Sequence, residues 1–234
     1  MTALLTELPH PRRAMLHGLR PSFRAAINAW WEMDVQGAEL TPPAGPLIVV
    51  GNHIGFIDGP LMAIMGPRPV HALTKAEMFS GPMGAFLTGA GQIPLQRDHA
   101  DPVAIRTALQ VLREDGAVGV FPEGTRGAGE LRNLKGGAAY LALASGASVL
   151  PVIFLGTRLP GGRNSSLPPR GSRLSMTYGA PLHFRAQPWP RRRDDVAEAM
   201  DRIGQALRDT LAVAQQRTGL GLPGPIPDKD LADD

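Results

Sequence analysis

Cysteine is absent from the 234 residues, which excludes a disulfide scaffold, a thiolate zinc site and a cysteine nucleophile. No window approaches the roughly 18 consecutive apolar residues that a membrane-crossing helix needs. A signal-peptide apolar core is missing too, because Pro9, His10, Pro11, Arg12 and Arg13 interrupt the first apolar stretch. A cytoplasmic location is therefore expected, with attachment to a membrane surface left open. Strong charge imbalance is also lacking. The 24 basic and 21 acidic residues leave a net charge of +3, too modest to argue for a nucleic-acid partner.

What is present is a core and abundant punctuation. Hydrophobic residues make up 43% of the chain, with aromatics only 5%, so a sizeable core can be buried and wholesale disorder is excluded. The length suits one domain or a tight pair. The 28 glycines and 23 prolines are scattered without a collagen period and fit many short elements joined by tight turns. The charges are grouped. Arg12, Arg13, Arg20 and Arg24 face only Glu7 over residues 1–24. Residues 156–193 carry eight arginines, Arg158 to Arg193, and no acid, while residues 228–234 hold four aspartates and one lysine. Basic segments of this kind can meet an anionic surface.

Periodicity orders the elements. Leu16, Leu19, Phe23, Ile27 and Trp30 recur at helical spacing over residues 11–33. Pro21 is expected to divide that stretch into two helices, opening the second. The pair either packs on the domain or lies in a lipid interface, arginines toward headgroups and tryptophans at the boundary. From residue 46 strands and helices alternate. Strands are read at 46–51, 69–73, 91–95, 117–121, 148–155 and 172–178. Helices are read at 58–66, 76–89, from Asp101-Pro102 to Gly116, at 134–145 and at 190–216. Pro151 inside its strand implies an edge, an end or a bulge. The expected fold is α/β: a mainly parallel central sheet covered by helices on both faces, preceded by an N-terminal amphipathic helix pair. The expected organisation is a helical segment at 1–36, the main domain at 37–218 and a flexible acidic tail at 219–234.

In such sheets the site lies beyond the carboxyl ends of the strands. The first strand runs into Asn52-His53-Ile54-Gly55-Phe56-Ile57-Asp58. On one helix, residues five apart point ~140° away from each other. If His53 sits on the turn and Asp58 opens the helix, the chain can fold back so that the carboxylate orients the imidazole as a base toward an alcohol. Alone the pair is weak, since Asp58 also suits a helix cap. After the strand at 117–121 comes Pro122-Glu123-Gly124-Thr125-Arg126, where Arg126 can fork a phosphate and Gly124 lets backbone approach, or where a plain turn holds a local ion pair. Lys75 and Arg97 follow two further strands and can converge with Arg126 on one rim. Lys135 reads as a solvated charge.

Four blocks stand in order over about residues 45–155: Asn52-His53-x4-Asp58, Gly91-x5-Arg97, Phe121-Pro-Glu-Gly-Thr-Arg126 and Leu150-Pro151-Val152. In these blocks the chain resembles the 1-acylglycerol-3-phosphate acyltransferase family. The resemblance implies transfer of a fatty acyl group from acyl-CoA or acyl carrier protein to the sn-2 hydroxyl of 1-acylglycerol-3-phosphate, giving phosphatidic acid. The thioester is a co-substrate, and no other cofactor is implied. It also implies His53 as general base, Asp58 as its partner, and Arg97 with Glu123, Gly124, Thr125 and Arg126 at the acceptor's phosphate end. Lys75 joins them by its position. The resemblance favours the interfacial reading of residues 11–33, hence peripheral attachment to the inner face of the membrane. Pro94 and Gln96 depart from the usual third block, and Gly55 and Phe56 replace the small polar residues common between His and Asp. Two other readings stand beside this one: the same chemistry on a different lipid or secondary-metabolite alcohol, and a non-catalytic lipid-binding module. Metal-dependent hydrolysis through His53, Asp58 and His71 has no supporting third-ligand spacing.

Overall fold

The computed structural model describes residue 11 and residues 13–227. Strands β1 (Glu32–Gln36), β2 (Leu47–Gly51), β3 (Val70–Lys75), β4 (Ile93–Leu95), β5 (Ala117–Val120), β6 (Ser148–Leu155) and β7 (Arg173–Tyr178) form one sheet in the order β1-β7-β6-β2-β5-β3-β4. Every pairing is parallel except β6 with β7. The helices are α1 (Arg13–Trp30), α2 (Asp58–Ile64), α3 (Gly81–Gly89), α4 (Pro102–Arg113), α5 (Gly137–Ser145) and α6 (Arg193–Thr218).

The period-2 rule explains the layering. All of β2 is buried. Its Ile48 and Val50 join a core with α4, α5 and α6, while Leu47 and Val49 join a second core with α1 and α2. A strand buried on both faces reads as the unbroken apolar run Leu-Ile-Val-Val. Asp101 caps α4 as expected, its side chain accepting from the amides of Val103 and Ala104.

Several expectations need correction. First, residues 13–30 form one helix with Pro21 inside it, not a pair divided there. Residues 1–10 and 12, with Arg12 and Glu7, lie outside the described residues. Arg20 and Arg24 of α1 bond the main chain at the end of α2. Arg20 Nε donates to Ile64 O at 2.8 Å, and Arg24 donates to the carbonyls of Ile64, Met65 and Gly66 at 2.9, 2.7 and 2.6 Å. They satisfy the open carbonyls at the C-terminus of α2 and complement its dipole. Burial, with Arg24 alongside, lowers the Arg20 guanidinium to about 10. Trp31 is buried and bonds Pro168 O, whereas Trp30 is exposed with Arg170 over its ring.

Second, β1 falls where helix was expected to run on. Third, Pro151 lies in a central strand. Its neighbour β7 pairs with Val152–Leu155 and stops one residue short of it, so the missing N–H costs no ladder bond there. Fourth, residues 219–227 are not loose. Pro223 and Ile226 are buried and Leu222 packs on the core. The acidic residues 228–234 lie outside the described residues. The helix read at 76–89 is also broken, by Ser80 and Gly81 at φ +59°, into a short 3-10 turn and α3.

Candidate active site

β2 ends on Gly51, and the turn behind it is held from several sides. Asn52 is fully buried and bonds the main chain of Phe154 on β6 twice, at 3.0 and 2.8 Å. Two residues later the chain turns back, so that Asp58, the first residue of α2, meets His53. Asp58 Oδ2 lies 3.0 Å from His53 Nδ1 and accepts from the amides of Ile54 at 2.7 Å and Gly55 at 2.8 Å. Asp58 is fully buried, with His53 about one-fifth exposed. The carboxylate fixes Nδ1 as the donor and leaves Nε2 as the acceptor. The fold-back geometry expected from the five-residue spacing is therefore present.

Two residues outside the pair shape the imidazole. Phe121 stacks on its ring at 4.1 Å with 18° between planes. Glu123 Oε1 accepts the His53 amide at 2.8 Å. That contact turns Glu123, which the resemblance puts at the acceptor's phosphate end, toward the main chain of His53. Burial pushes its carboxyl up to about 7; the His53 amide opposes this, and the Asp58 and Glu130 charges add to it. A carboxyl raised from 4.5 to about 7 stabilises the fold fully below pH 4.5 and progressively less as pH rises through 7. Gln keeps the acceptor oxygen without the charge. Glu123→Gln is therefore expected to stabilise the protein at pH 8, by up to about 3 kcal/mol, and to change little at pH 4. Thermal unfolding at both pH values checks this, and an equal shift at both would refute it.

His53 faces a groove of about 1170 Å³. One end is cationic. Lys75, Arg97 and Arg126 line it together, as the strand-end rule implied, with Gly124 and Thr125 between them. Arg97 donates to Gly124 O at 2.8 Å, and Arg126 donates to Asn164 O and lies over the Phe56 ring. Gly124 has φ +77°, and a Cβ there would press on Lys135 Cε and Nζ. Lys135 thus belongs to the same wall. The clue in the sequence was Gly136-Gly137 directly after it, which opens α5. The other arm is apolar, lined by Leu16, Phe23 and Ile27 of α1 and Met83 and Phe86 of α3. His71, weighed as a ligand, is buried with Nδ1 2.7 Å from Gly91 O. Among the described residues no cluster of three His, Asp or Glu is placed to hold a metal ion.

A base oriented by a buried carboxylate, between a cationic end and an apolar arm, suits proton removal from the hydroxyl of an amphiphile with an anionic head. Comparison with known proteins agrees with that shape. The chain is 27% identical over 184 residues to the 1-acyl-sn-glycerol-3-phosphate acyltransferase of Bacillus subtilis, covering 76% of this chain and 89% of that protein. It is 33% identical over 138 residues to the protein of the same name from Borreliella burgdorferi, covering 56% of this chain and 55% of that one. Among solved structures, the 1-acyl-sn-glycerophosphate acyltransferase PlsC from Thermotoga maritima superposes with a TM-score of 0.62. That match covers 85% of this chain and 79% of that one at 22% identity, and it speaks for the fold. The sequence profile of the Acyltransferase family matches residues 32–155, more than half of the chain, and the protein belongs to that family.

Proposed function

We propose that the protein transfers a fatty acyl group from an acyl thioester to the sn-2 hydroxyl of 1-acylglycerol-3-phosphate, giving phosphatidic acid. The observation that carries this reading is the His53–Asp58 pair facing one groove with a cationic end and an apolar arm. The acceptor's phosphate lies against Lys75, Arg97, Arg126 and Lys135. His53 Nε2 takes the proton of the hydroxyl as its oxygen attacks the thioester carbonyl, and Asp58 stabilises the imidazolium. The tetrahedral intermediate collapses, the C–S bond breaks, and His53 returns the proton to the leaving thiolate. The nucleophile belongs to the substrate, so both substrates are bound together and no acyl-enzyme forms.

Both substrates are amphiphiles, and the same reading brings the groove's apolar rim to a lipid surface. Residues 78–96 carry no charge, and Met83 and Phe86 of α3, which line the groove, are exposed, as is Leu19 of α1. No helix among the described residues is long and apolar enough to cross a membrane, and on this reading the attachment is peripheral.

The test is an acyl-transfer assay over phosphorylated and neutral acceptors, presented in anionic vesicles and as monomers. Lysophosphatidate is expected to be used best. Arg126→Ala should raise its KM about 10- to 100-fold and leave the KM of the thioester nearly unchanged. Phe86→Asp should slow turnover on vesicles more than on monomers. Equal use of a neutral alcohol, with no KM change in Arg126→Ala, would move the reading to another acceptor.

A further inference from the structure

Arg158 is the largest of the fully buried side chains, 2% exposed, although the sequence placed it among basic residues suited to an anionic surface. Its guanidinium donates to four main-chain carbonyls. Nε donates to Ile54 O at 2.7 Å, one terminal nitrogen donates to Gly162 O at 3.1 Å, and the other donates to Gly127 O at 2.9 Å and Gly224 O at 2.7 Å. We propose that Arg158 is a positioning residue for acyl transfer, holding the His53 turn and the loop after β5 in one arrangement through these four carbonyls. The proposal rests on the reading of His53 as general base.

The contacts reach the imidazole by two short routes. The first passes through a single peptide unit. The Ile54 carbonyl accepts from Arg158, and the N–H of the same unit, on Gly55, donates to Asp58 Oδ2. The second passes through Gly127, whose N–H donates to His53 O at 2.9 Å and whose carbonyl accepts from Arg158. The guanidinium thus fixes the peptide that aims Asp58 and the residue that holds the His53 backbone. A chain running from a buried cation through a peptide to a carboxylate and an imidazole polarises each bond in it. The planar fork with five donors is what lets one side chain serve segments from four parts of the chain. Burial pulls the guanidinium below its ordinary value, and the Asp58 charge opposes this. An apolar side chain of equal volume would leave these four carbonyls without a donor and the turn without its tether, so stability and orientation have to be separated by the test. The fourth carbonyl, Gly224, ties the C-terminal segment to the same guanidinium.

The test uses purified full-length protein, with wild type and His53→Ala as controls. Arg158→Ala is expected to lower kcat about 100-fold while both KM values stay within about 3-fold, as misplacement of a general base does. Millimolar methylguanidinium should restore turnover in part to Arg158→Ala and not to His53→Ala. Hydrogen exchange should speed up at the amides of Gly55 and Gly127 but not along α5. If Arg158→Ala does not fold, Arg158→Lys carries the test. Its ammonium keeps the charge without the fork and should cost about 10-fold in kcat with KM held. A folded variant with wild-type kcat, a change confined to KM, or protection lost equally across the sheet would overturn the proposal. A wild type with no acyl transfer would overturn the functional reading instead. Exchange at Gly55 and Gly127 would then still decide whether Arg158 holds the turn.

Discussion

His53→Ala is expected to reduce kcat for acyl transfer by about 1000-fold while the protein stays folded. The two halves of that expectation have separate causes. The loss follows because His53 is the side chain at the groove whose Nδ1 is held by a buried carboxylate. The fold survives because the turn does not hang on the ring. The main chain there is held by Asn52 to Phe154, by Glu123 to the His53 amide and by Gly127 to the His53 carbonyl. Asp58→Asn should show a comparable loss for another reason. One Asp58 oxygen takes three donors, and an Asn oxygen can keep the two amides yet brings no charge to stabilise the imidazolium. Steady-state kinetics with circular dichroism on both variants checks this. Turnover in His53→Ala within about 10-fold of wild type would remove the residue from the chemistry.

Gly55→Ala is expected to be nearly as damaging, and through packing. A Cβ at Gly55 would overlap the Thr157 carbonyl and crowd Thr157 Oγ1. Backbone cannot swing aside as a long side chain can, so the turn or the β6 end must shift. The turn carries the Gly55 amide that aims Asp58. We expect a stability loss of about 2–3 kcal/mol and a fall in kcat of about 100-fold in the remaining folded protein. Gly59→Ala is the matched control. Nothing lies within 4 Å of a Cβ there, and a helical position favours alanine over glycine by up to about 1 kcal/mol. Denaturant unfolding and kinetics of the two variants test the contrast, and similar behaviour of the pair would refute it. At this turn the close approach of backbone falls at Gly55 and not at Gly59.

Legibility in the sequence followed the range of the forces involved. The apolar run 47–50 and the Asp101-Pro102 cap are local signals, and the elements they mark are found where they were read. The Arg20 and Arg24 side chains bond α2 carbonyls some 40 residues away, and no helical period predicts that. β1 was missed because Glu-Met-Asp-Val-Gln has little strand character of its own. It is a strand by pairing with β7, where Met33 meets Leu174 and Val35 meets Met176. The bond from the His53 amide to Glu123 was not legible either, because spacing cannot tell a carboxylate that faces substrate from one that meets a backbone amide.

The sequence by itself determined the α/β alternation, the placing of chemistry after the strands, and the His53–Asp58 and Phe121–Arg126 blocks, all of which depend on neighbours within a few residues. Only the tertiary structure decided that Lys135 joins the cationic wall, that Phe121 stacks on the imidazole, that the C-terminal segment is packed down and that Arg158 is buried behind the turn. Those facts depend on contacts between residues as much as 104 positions apart, as from Ile54 to Arg158. The physical reason is that a charge is read from sequence as solvated by default. Whether four carbonyls replace its water is settled only when the loops carrying them meet.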